Sequence, residues 1–372
     1  MKAYRLAATV LRLALAAAAC GCATPAMTAS GPAICTPFGD PPAIVTGVVK
    51  PDCLHGIMLG PWKDQNGNDR YACVWEPYHP EKKRHLPMVI YLHPSLFGPK
   101  TVAKTGLLVY QDNTAVGADA AGGYIVLAPI GRTTLHHYPR PDEKGLGWDN
   151  WYRQLNPAGA VTVHNALYRA NADAAAIDHF VTEEVSTGKV DPGRIYVMGW
   201  SNGAAMAILY GLSRRNIAAA AVYSAPDPFG AFNDPCPQAP VPGQPANETQ
   251  IEVLNPALPI MHVHNNCDIA GLCPNAERMS RQLAAAGVAV RNTIIDYAQT
   301  QAQECTLLCG AGGNGVITPA ADLPGYSLGF IEHSRWPTQW TPVMLDFLRR
   351  HSLSGGAQPS EGGPHDENNI AH

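Results

Sequence analysis

Residues 190–206 read VDPGRIYVMGWSNGAAM, and this stretch decides the fold. Its Asp-Pro-Gly is a turn signal, and the run from Arg194 to Met198 that follows is rich in strand-forming residues. An alanine-rich pattern typical of a helix begins at Asn202. The stretch therefore predicts a strand, a tight turn around Ser201 and a helix.

Two Gly-x-Ser-x-Gly patterns occur in the chain, around Ser201 and around Ser327. The pattern supports chemistry only as a nucleophile elbow, in which the serine lies in a strained turn between a strand and a helix. Ser327 follows Ala-Asp-Leu-Pro and precedes Phe-Ile-Glu-His, with no clear strand before it and no clear helix after it. We therefore predict that Ser201 is the nucleophile.

Strand-like and helix-like runs alternate along the rest of the chain. Such alternation favours an α/β fold, a mostly parallel sheet flanked by helices. The predicted strands are residues 87–92, 124–128, 194–199, 218–223, 258–264 and 290–297, with 44–50 and 70–75 as antiparallel strands at one edge. The predicted helices are residues 164–185, 202–214, 275–287 and 342–350.

The chain has 372 residues, 46% of them hydrophobic, which is enough for a sizeable core; this length could hold two domains, but α/β proteins of about this size often form one. We expect this domain over residues 35–351, with a Pro-rich insertion at 225–259 and a disordered polar tail at 352–372. The net charge of −4, without a dense basic stretch, excludes nucleic acid as a partner. The oligomeric state stays open.

The N-terminus has the shape of a secretory signal. Lys2 and Arg5 precede an alanine-rich apolar run and then small residues, so we predict a signal peptide over residues 1–22. The protein is then secreted or periplasmic. Lipid attachment through Cys20 or Cys22 stays open, and only such an anchor would give it a membrane contact.

Export gives the remaining cysteines a structural meaning, because disulfides persist in oxidising compartments. We expect up to four disulfides, with the pairing open except for a proposed bridge between Cys267 and Cys273. The alternative is a metal site, but these two residues lack the C-x₂-C spacing typical of zinc modules. The eight cysteines are Cys35, Cys53, Cys73, Cys236, Cys267, Cys273, Cys305 and Cys309.

A serine nucleophile needs a base to take its proton and a carboxylate to orient that base. With an elbow of this kind, the acid and then the histidine follow the serine along the chain. Asp268 stands just past the predicted strand 258–264, and His333 directly precedes the last helix. We predict these two as acid and base. The alternatives are two histidines that we expect in the core and two further acids: His262, His264, Asp296 and Asp322.

Five ordered pieces of the chain between about residues 86 and 350 carry a family resemblance. They are MVIYLHPS, GWDNWY, VDPGRIYVMGWSNGAAMA, PIMHVHNNCD and EHSRWP. With these pieces the chain resembles secreted α/β-hydrolase esterases of the poly(3-hydroxybutyrate) depolymerase and feruloyl esterase group. The resemblance implies the α/β-hydrolase fold and the same three residues, Ser201, Asp268 and His333, as the catalytic triad.

The chain departs from that family at the predicted oxyanion hole. The family usually has His-Gly there, whereas His93 is followed by Pro94, which has no N–H to donate. We therefore expect the backbone N–H groups of Ser95 and Asn202 to be the donors.

Four tryptophans fall in or beside the matching pieces, and we expect them to line the cleft that binds the substrate. The function that follows is an exported serine esterase acting on short hydroxyalkanoate oligomers or related polyester or feruloyl-type esters, without metal or organic cofactor. The alternatives are a serine peptidase on the same fold and a non-catalytic surface-binding module. The tryptophans are Trp148, Trp151, Trp200 and Trp336.

Overall fold

The computed structural model describes most of the chain from residue 50 to residue 353. The described residues are 50–64, 67–78, 85–112, 123–136, 143–148, 161–163, 166–168, 172–226, 253–265, 268, 275–295 and 331–353. The predicted signal peptide and the polar tail from residue 354 onward lie outside them. So does the middle of the Pro-rich stretch, residues 227–252, and the predicted domain boundaries therefore stay predictions.

Within the described ranges, eight strands form the central sheet. In chain order they are β1 (Ile57–Lys63), β2 (Asp69–Trp75), β3 (Leu86–Leu92), β4 (Ile125–Pro129), β9 (Val190–Trp200), β10 (Ala219–Tyr223), β11 (Ile260–Asn265) and β12 (Val290–Ile295). The described residues also form two antiparallel strand pairs outside this sheet: β5 (Arg132–His136) with β6 (Glu143–Gly147), and β7 (Val161–Val163) with β8 (Ala166–Tyr168). The helices are α1 (Ala172–Ser186), α2 (Asn202–Leu212), α3 (Asn275–Ala285) and α4 (Thr341–Arg349).

The strand order across the sheet is β1-β2-β4-β3-β9-β10-β11-β12. In this sheet β1 and β2 pair antiparallel with their neighbours. The other six strands, β4, β3, β9, β10, β11 and β12, run parallel to one another. This is the sheet of an α/β-hydrolase, so the predicted fold class is confirmed. Because parallel strands end at the same edge of a sheet, residues that follow β3, β9, β10 and β11 come together there.

The sheet is buried on both faces. Along β9, Ile195 and Val197 pack on the face that also holds α1, α2 and α3, whereas Tyr196 and Met198 pack on the opposite face with α4. All seven residues of β3 are buried. Strands covered on both sides are near-continuous apolar runs, which is why the sequence showed them as such.

The structure corrects the prediction of a helix over residues 164–185. The antiparallel strand pair of β7 (Val161–Val163) and β8 (Ala166–Tyr168) lies before helix α1, which begins only at Ala172, and β8 falls within the predicted helix. The first strand of this pair, Val161-Thr162-Val163, is made of β-branched residues, which favour strands over helices. The start of the predicted helix was therefore wrong.

The edge strands also differ from the prediction. Residues 44–49 lie outside the described residues, and the outermost strand is β1 at 57–63. This strand was not predicted because Gly60-Pro61 interrupts its run of strand-forming residues. In the structure the pairing register shifts between Leu59 and Trp62, and an edge strand tolerates a proline at such a bulge. The other predicted strands and helices are confirmed, with ends shifted by a few residues.

A disulfide joins Cys53 to Cys73, and it ties the segment before β1 to the middle of β2. Of the eight candidate cysteines, the other six lie outside the described residues, so the bridge between Cys267 and Cys273 stays a prediction. Within the described ranges, no helix is both long and apolar enough to cross a membrane.

One buried acid should make the stability depend on pH. Glu184 of α1 is 5% exposed, and its Oε2 has no hydrogen-bond partner among the described residues. Burial, and then the negative charge of Glu76, raise the pKa of Glu184 from 4.5 to about 7, against the opposing charge of Lys189. The folded state therefore holds the proton more tightly than the unfolded state, and this stabilising contribution is lost as the pH rises from about 4.5 to about 7.

We expect Glu184→Gln to raise the free energy of unfolding at pH 8 by up to about 3 kcal/mol, since each pKa unit corresponds to about 1.4 kcal/mol. At pH 5 the variant and the native protein should differ much less, because the native carboxyl is then largely neutral. Urea unfolding at both pH values measures this. Glu183→Gln is the control, because the Glu183 side chain is 42% exposed. Equal effects of Glu184→Gln at the two pH values would contradict the prediction.

Candidate active site

Ser201 lies in a strained turn between β9 and α2. Its backbone has φ 57° and ψ −123°, a conformation that residues other than glycine rarely adopt. The hydroxyl does not cap the helix that follows. Such strain persists where the surrounding structure requires it, and it is concentrated at functional sites. The predicted strand, turn and helix around Ser201 are therefore confirmed.

Two glycines allow this turn to form. A Cβ built on Gly203 would lie 2.2 Å from the carbonyl oxygen of Leu92 and 2.4 Å from that of His93. A Cβ on Gly199 would lie 2.2 Å from the carbonyl oxygen of Gly203. These neighbours are backbone atoms, so no side-chain rotation relieves the clash. Only glycine lets the first turn of α2 cross the end of β3 at this distance.

The structure brings the three predicted triad side chains into one hydrogen-bonded chain. Ser201 Oγ lies 2.7 Å from His333 Nε2, and His333 Nδ1 lies 2.9 Å from Asp268 Oδ1. Ser201 follows β9, Asp268 follows β11, and His333 ends a helical turn before α4. All three are buried, with Asp268 wholly inaccessible.

The carboxylate of Asp268 affects the protonation of a neighbouring phenol. Burial, and then the negative charge of Asp268, raise the pKa of Tyr223 well above its usual range, so this phenol stays protonated. Its hydroxyl donates a hydrogen bond to the carbonyl oxygen of Glu332, at 2.7 Å. Tyr223 therefore holds the backbone next to His333.

Two of the predicted substrate-binding tryptophans also hold the segment that carries His333. The indole N–H of Trp200 donates to the carbonyl oxygen of His333, at 2.9 Å. Trp336 packs edge to face against both Trp200 and Tyr223, with ring centroids 5.9 and 5.6 Å apart. Both indoles are 4% exposed.

Trp200 and Trp336 also contribute to the lining of a cleft of about 390 Å³, whose other lining residues are Lys104, Ile331, Ser334 and Arg335. Substrate contact at these tryptophans stays a prediction.

Trp148 lies beneath the predicted oxyanion loop. Its indole N–H donates to the carbonyl oxygen of His93, at 2.8 Å, and its ring packs against the His93 ring. Its backbone N–H donates to Asn202 Oδ1, at 2.7 Å. With 2% exposure, this side chain supports the loop from within. Trp151 lies outside the described residues.

The His93 ring sets the path of the loop that leads to Ser95. Its Nε2 accepts the N–H of Gly131, at 2.9 Å, so its hydrogen lies on Nδ1 and is donated to the carbonyl oxygen of Pro94. Beyond Ser95, the N–H of Leu96 donates to the carbonyl oxygen of Leu146, at 2.7 Å. The loop is thus held on both sides of Ser95.

Asn202 is the first residue of α2, where a backbone N–H has no acceptor within the helix. This N–H is therefore available for an oxyanion, as is the positive end of the helix dipole. The pairing of the Asn202 and Ser95 N–H groups as an oxyanion hole stays a prediction.

The sequence analysis missed Ser224, whose Oγ lies 2.6 Å from His333 Nδ1. The signal that could have found it is its position directly after β10, at the edge of the sheet where site residues gather.

The alternative candidates for the nucleophile, the acid and the base include a histidine of β11. His262 is inaccessible within β11, and burial, followed by the charge of His264, lowers the pKa of His262 to about 3. It is a neutral core histidine, as expected. Ser327, Asp296 and Asp322 lie outside the described residues. In the described part of the chain no group of three or more His, Cys, Asp or Glu residues could hold a metal, and the expectation of a metal-free site stays a prediction.

The glycine at the crossing of α2 and β3 can be tested directly. We expect Gly203→Ala to lower the free energy of unfolding by about 3 kcal/mol, because its Cβ would push two rigid backbone segments apart. Gly211→Ala, in the same helix, is the control. Its Cβ would meet the flexible end of Leu258, and alanine favours the helix, so the change should stay within about 1 kcal/mol. Urea unfolding followed by circular dichroism measures both, and equal effects would refute the steric argument.

Comparisons with solved structures find hydrolases that are similar to this chain at low identity. The chain matches no protein-family model and no curated protein. A thermostable esterase structure aligns with 80% of this chain at 16% identity and a TM-score of 0.44, and the match covers 63% of that esterase. An S-formylglutathione hydrolase from Agrobacterium tumefaciens aligns with 80% of this chain and 99% of its own, at 12% identity and a TM-score of 0.44. A ferulic acid esterase aligns with 65% and 90%, at 13% identity and a TM-score of 0.44, and peptidases also occur among the matches.

Proposed function

We propose that this protein is a serine hydrolase that cleaves carboxylic esters through an acyl-enzyme. The observation that carries the proposal is the unbroken chain from Ser201 Oγ through the His333 ring to Asp268 Oδ1, with steps of 2.7 and 2.9 Å. This is the geometry in which a serine hydroxyl becomes a nucleophile. The strained backbone of Ser201 supports the same role, since it points the hydroxyl at His333 and away from the helix that follows.

The reaction begins when His333 Nε2 takes the proton of Ser201 as Oγ attacks the carbonyl carbon of the ester. The tetrahedral intermediate then collapses, and the Nε2–H proton passes to the departing alkoxide, which leaves as the alcohol. A water molecule next gives a proton to Nε2 and attacks the acyl-serine. Collapse of this second intermediate releases the acid and returns the proton to Ser201 Oγ.

Asp268 supports these steps by orienting the ring of His333 and stabilising the imidazolium that forms in each half of the reaction. Its complete burial strengthens this effect, since little solvent screens the carboxylate. The negative oxygen of the intermediate is bound by the N–H groups of Asn202 and Ser95. Preorganised donors of this kind supply a large part of the rate enhancement in acyl transfer.

Short soluble or oligomeric esters are the substrates that we propose, including hydroxyalkanoate oligomers and feruloyl-type esters. The aromatic cleft beside Trp200 and Trp336, of about 390 Å³, supports a small acyl or alcohol group. Apolar pockets discriminate weakly between similar chains, so we expect breadth in the acyl group. Export is part of the proposal, and the Cys53–Cys73 disulfide supports it because such bonds persist in oxidising compartments.

We expect Ser201→Ala to lower kcat for ester hydrolysis by several orders of magnitude, because only binding and the oxyanion donors remain. Ser327→Ala, at the second Gly-x-Ser-x-Gly pattern, is the matched control and should keep most of the activity. Hydrolysis of nitrophenyl butyrate measures both variants, and covalent labelling by a fluorophosphonate probe reports the nucleophile independently. Similar activities and labelling of the two variants would refute the assignment.

A substrate panel tests the proposed ester class. We expect turnover of nitrophenyl esters of rising chain length, hydroxybutyrate oligomers and feruloyl esters, with kcat/KM varying gradually along the acyl series. Peptide anilides and films of crystalline polyester should react far more slowly. Efficient cleavage of the peptide anilides with poor ester turnover would favour a peptidase, and rapid clearing of the film would overturn the preference for soluble esters.

A further inference from the structure

Ser224 makes the shortest contact to the His333 ring. Its Oγ lies 2.6 Å from Nδ1, whereas Asp268 Oδ1 lies 2.9 Å from the same nitrogen. Ser224 is inaccessible to solvent, and among the described residues this ring nitrogen is the hydrogen-bond partner found for its hydroxyl. A buried hydroxyl that contacts the candidate base has a direct route to influence it.

The backbone at Ser224 is strained like that at Ser201. The two serines directly follow neighbouring strands, whose last residues Trp200 and Tyr223 pair in register. Their φ angles are 59° and 57°. A non-glycine residue held at positive φ costs about 1 kcal/mol or more, and such strain persists only where the surroundings require it. At Ser224 the strained turn directs the hydroxyl to His333.

The direction of proton transfer determines how Ser224 bonds. For Nε2 to accept the proton of Ser201, the neutral ring must carry its hydrogen on Nδ1. Ser224 Oγ and Asp268 Oδ1 both lie within reach of that hydrogen, so they share it in a three-centre bond. If Ser224 donated to Nδ1 instead, the ring hydrogen would lie on Nε2 and the base would be blocked.

We propose that Ser224 is a positioning residue that acts with Asp268 as a second acceptor for the Nδ1–H of His333. The proposal rests on the ester hydrolysis proposed above. Both acceptors hold the ring in its orientation and tautomer, but only the carboxylate can neutralise the imidazolium. Ser224 therefore matters most when Asp268 is missing, because the ring then keeps one acceptor.

We expect Ser224→Ala to lower kcat for nitrophenyl butyrate about tenfold with little change in KM, since one hydrogen bond is lost. Asp268→Ala should lower kcat about ten-thousandfold. Adding Ser224→Ala to the Asp268→Ala protein should lower kcat by clearly more than the tenfold expected for Ser224→Ala in the native protein, because no acceptor for Nδ1–H remains. Ser186→Ala at the end of α1 is the control, and it should retain native kcat.

A Ser224→Gly variant separates the hydroxyl from the backbone. Glycine removes the hydroxyl and the strain, whereas alanine removes the hydroxyl and keeps the strain. We expect equal losses of kcat in the two variants, although the glycine variant should be the more stable in urea. Nitrogen-15 NMR of histidine-labelled protein should show the Nδ1–H tautomer of His333 weakened in the Asp268→Ala/Ser224→Ala protein, with His333→Gln used to assign the signals.

Native kcat in Ser224→Ala, or equal effects of this substitution with and without Asp268, would overturn the role of Ser224. A loss of kcat that follows stability, with Ser224→Gly fully active, would overturn it as well. These outcomes differ from failure of the proposed function, in which Ser201→Ala would keep its esterase activity and its fluorophosphonate labelling.

Discussion

The close contact between the end of β3 and the first turn of α2 is the constraint on which the site depends. The carbonyl oxygens of Leu92 and His93 leave no room for a Cβ at Gly203. This contact brings the loop with Ser95 next to the N-terminus of α2 and places Ser201 at the tip of the turn. The candidate nucleophile and its candidate oxyanion donors are thus brought together by one steric condition.

The segment that carries His333 must be held against this turn from far along the chain. Trp200 donates a hydrogen bond to the carbonyl oxygen of His333 and Tyr223 donates one to that of Glu332, and Trp336 packs against both aromatic rings. The donors lie at the ends of β9 and β10, so the sheet itself positions the candidate base. Aromatic residues with one polar group suit this task, because they fill the core and still bond the backbone.

Much of this arrangement could be read from local patterns. The elbow around Ser201 showed in its glycines, and Asp268 and His333 showed in their places after a strand and before a helix. The structure brings these three together, while their catalytic roles stay predictions. Strand β8 (Ala166–Tyr168) was included in the predicted helix because short apolar runs fit both periods, and only its pairing with β7 decides the case.

The position of Ser224 directly after β10 could have placed it at the sheet edge, but no local pattern indicates its contact with a histidine 109 residues away. The same holds for Trp148, Trp200 and Trp336, whose positions in the sequence suggested a cleft and whose burial makes them supports of the loops around it. The sequence by itself indicated most strands and helices of the central sheet, the elbow and the candidate triad, because these rest on local periodicity, turn chemistry and chain order. Only the tertiary structure decided which side chains share a hydrogen, because that depends on the register of β9, β10 and β11 in the sheet.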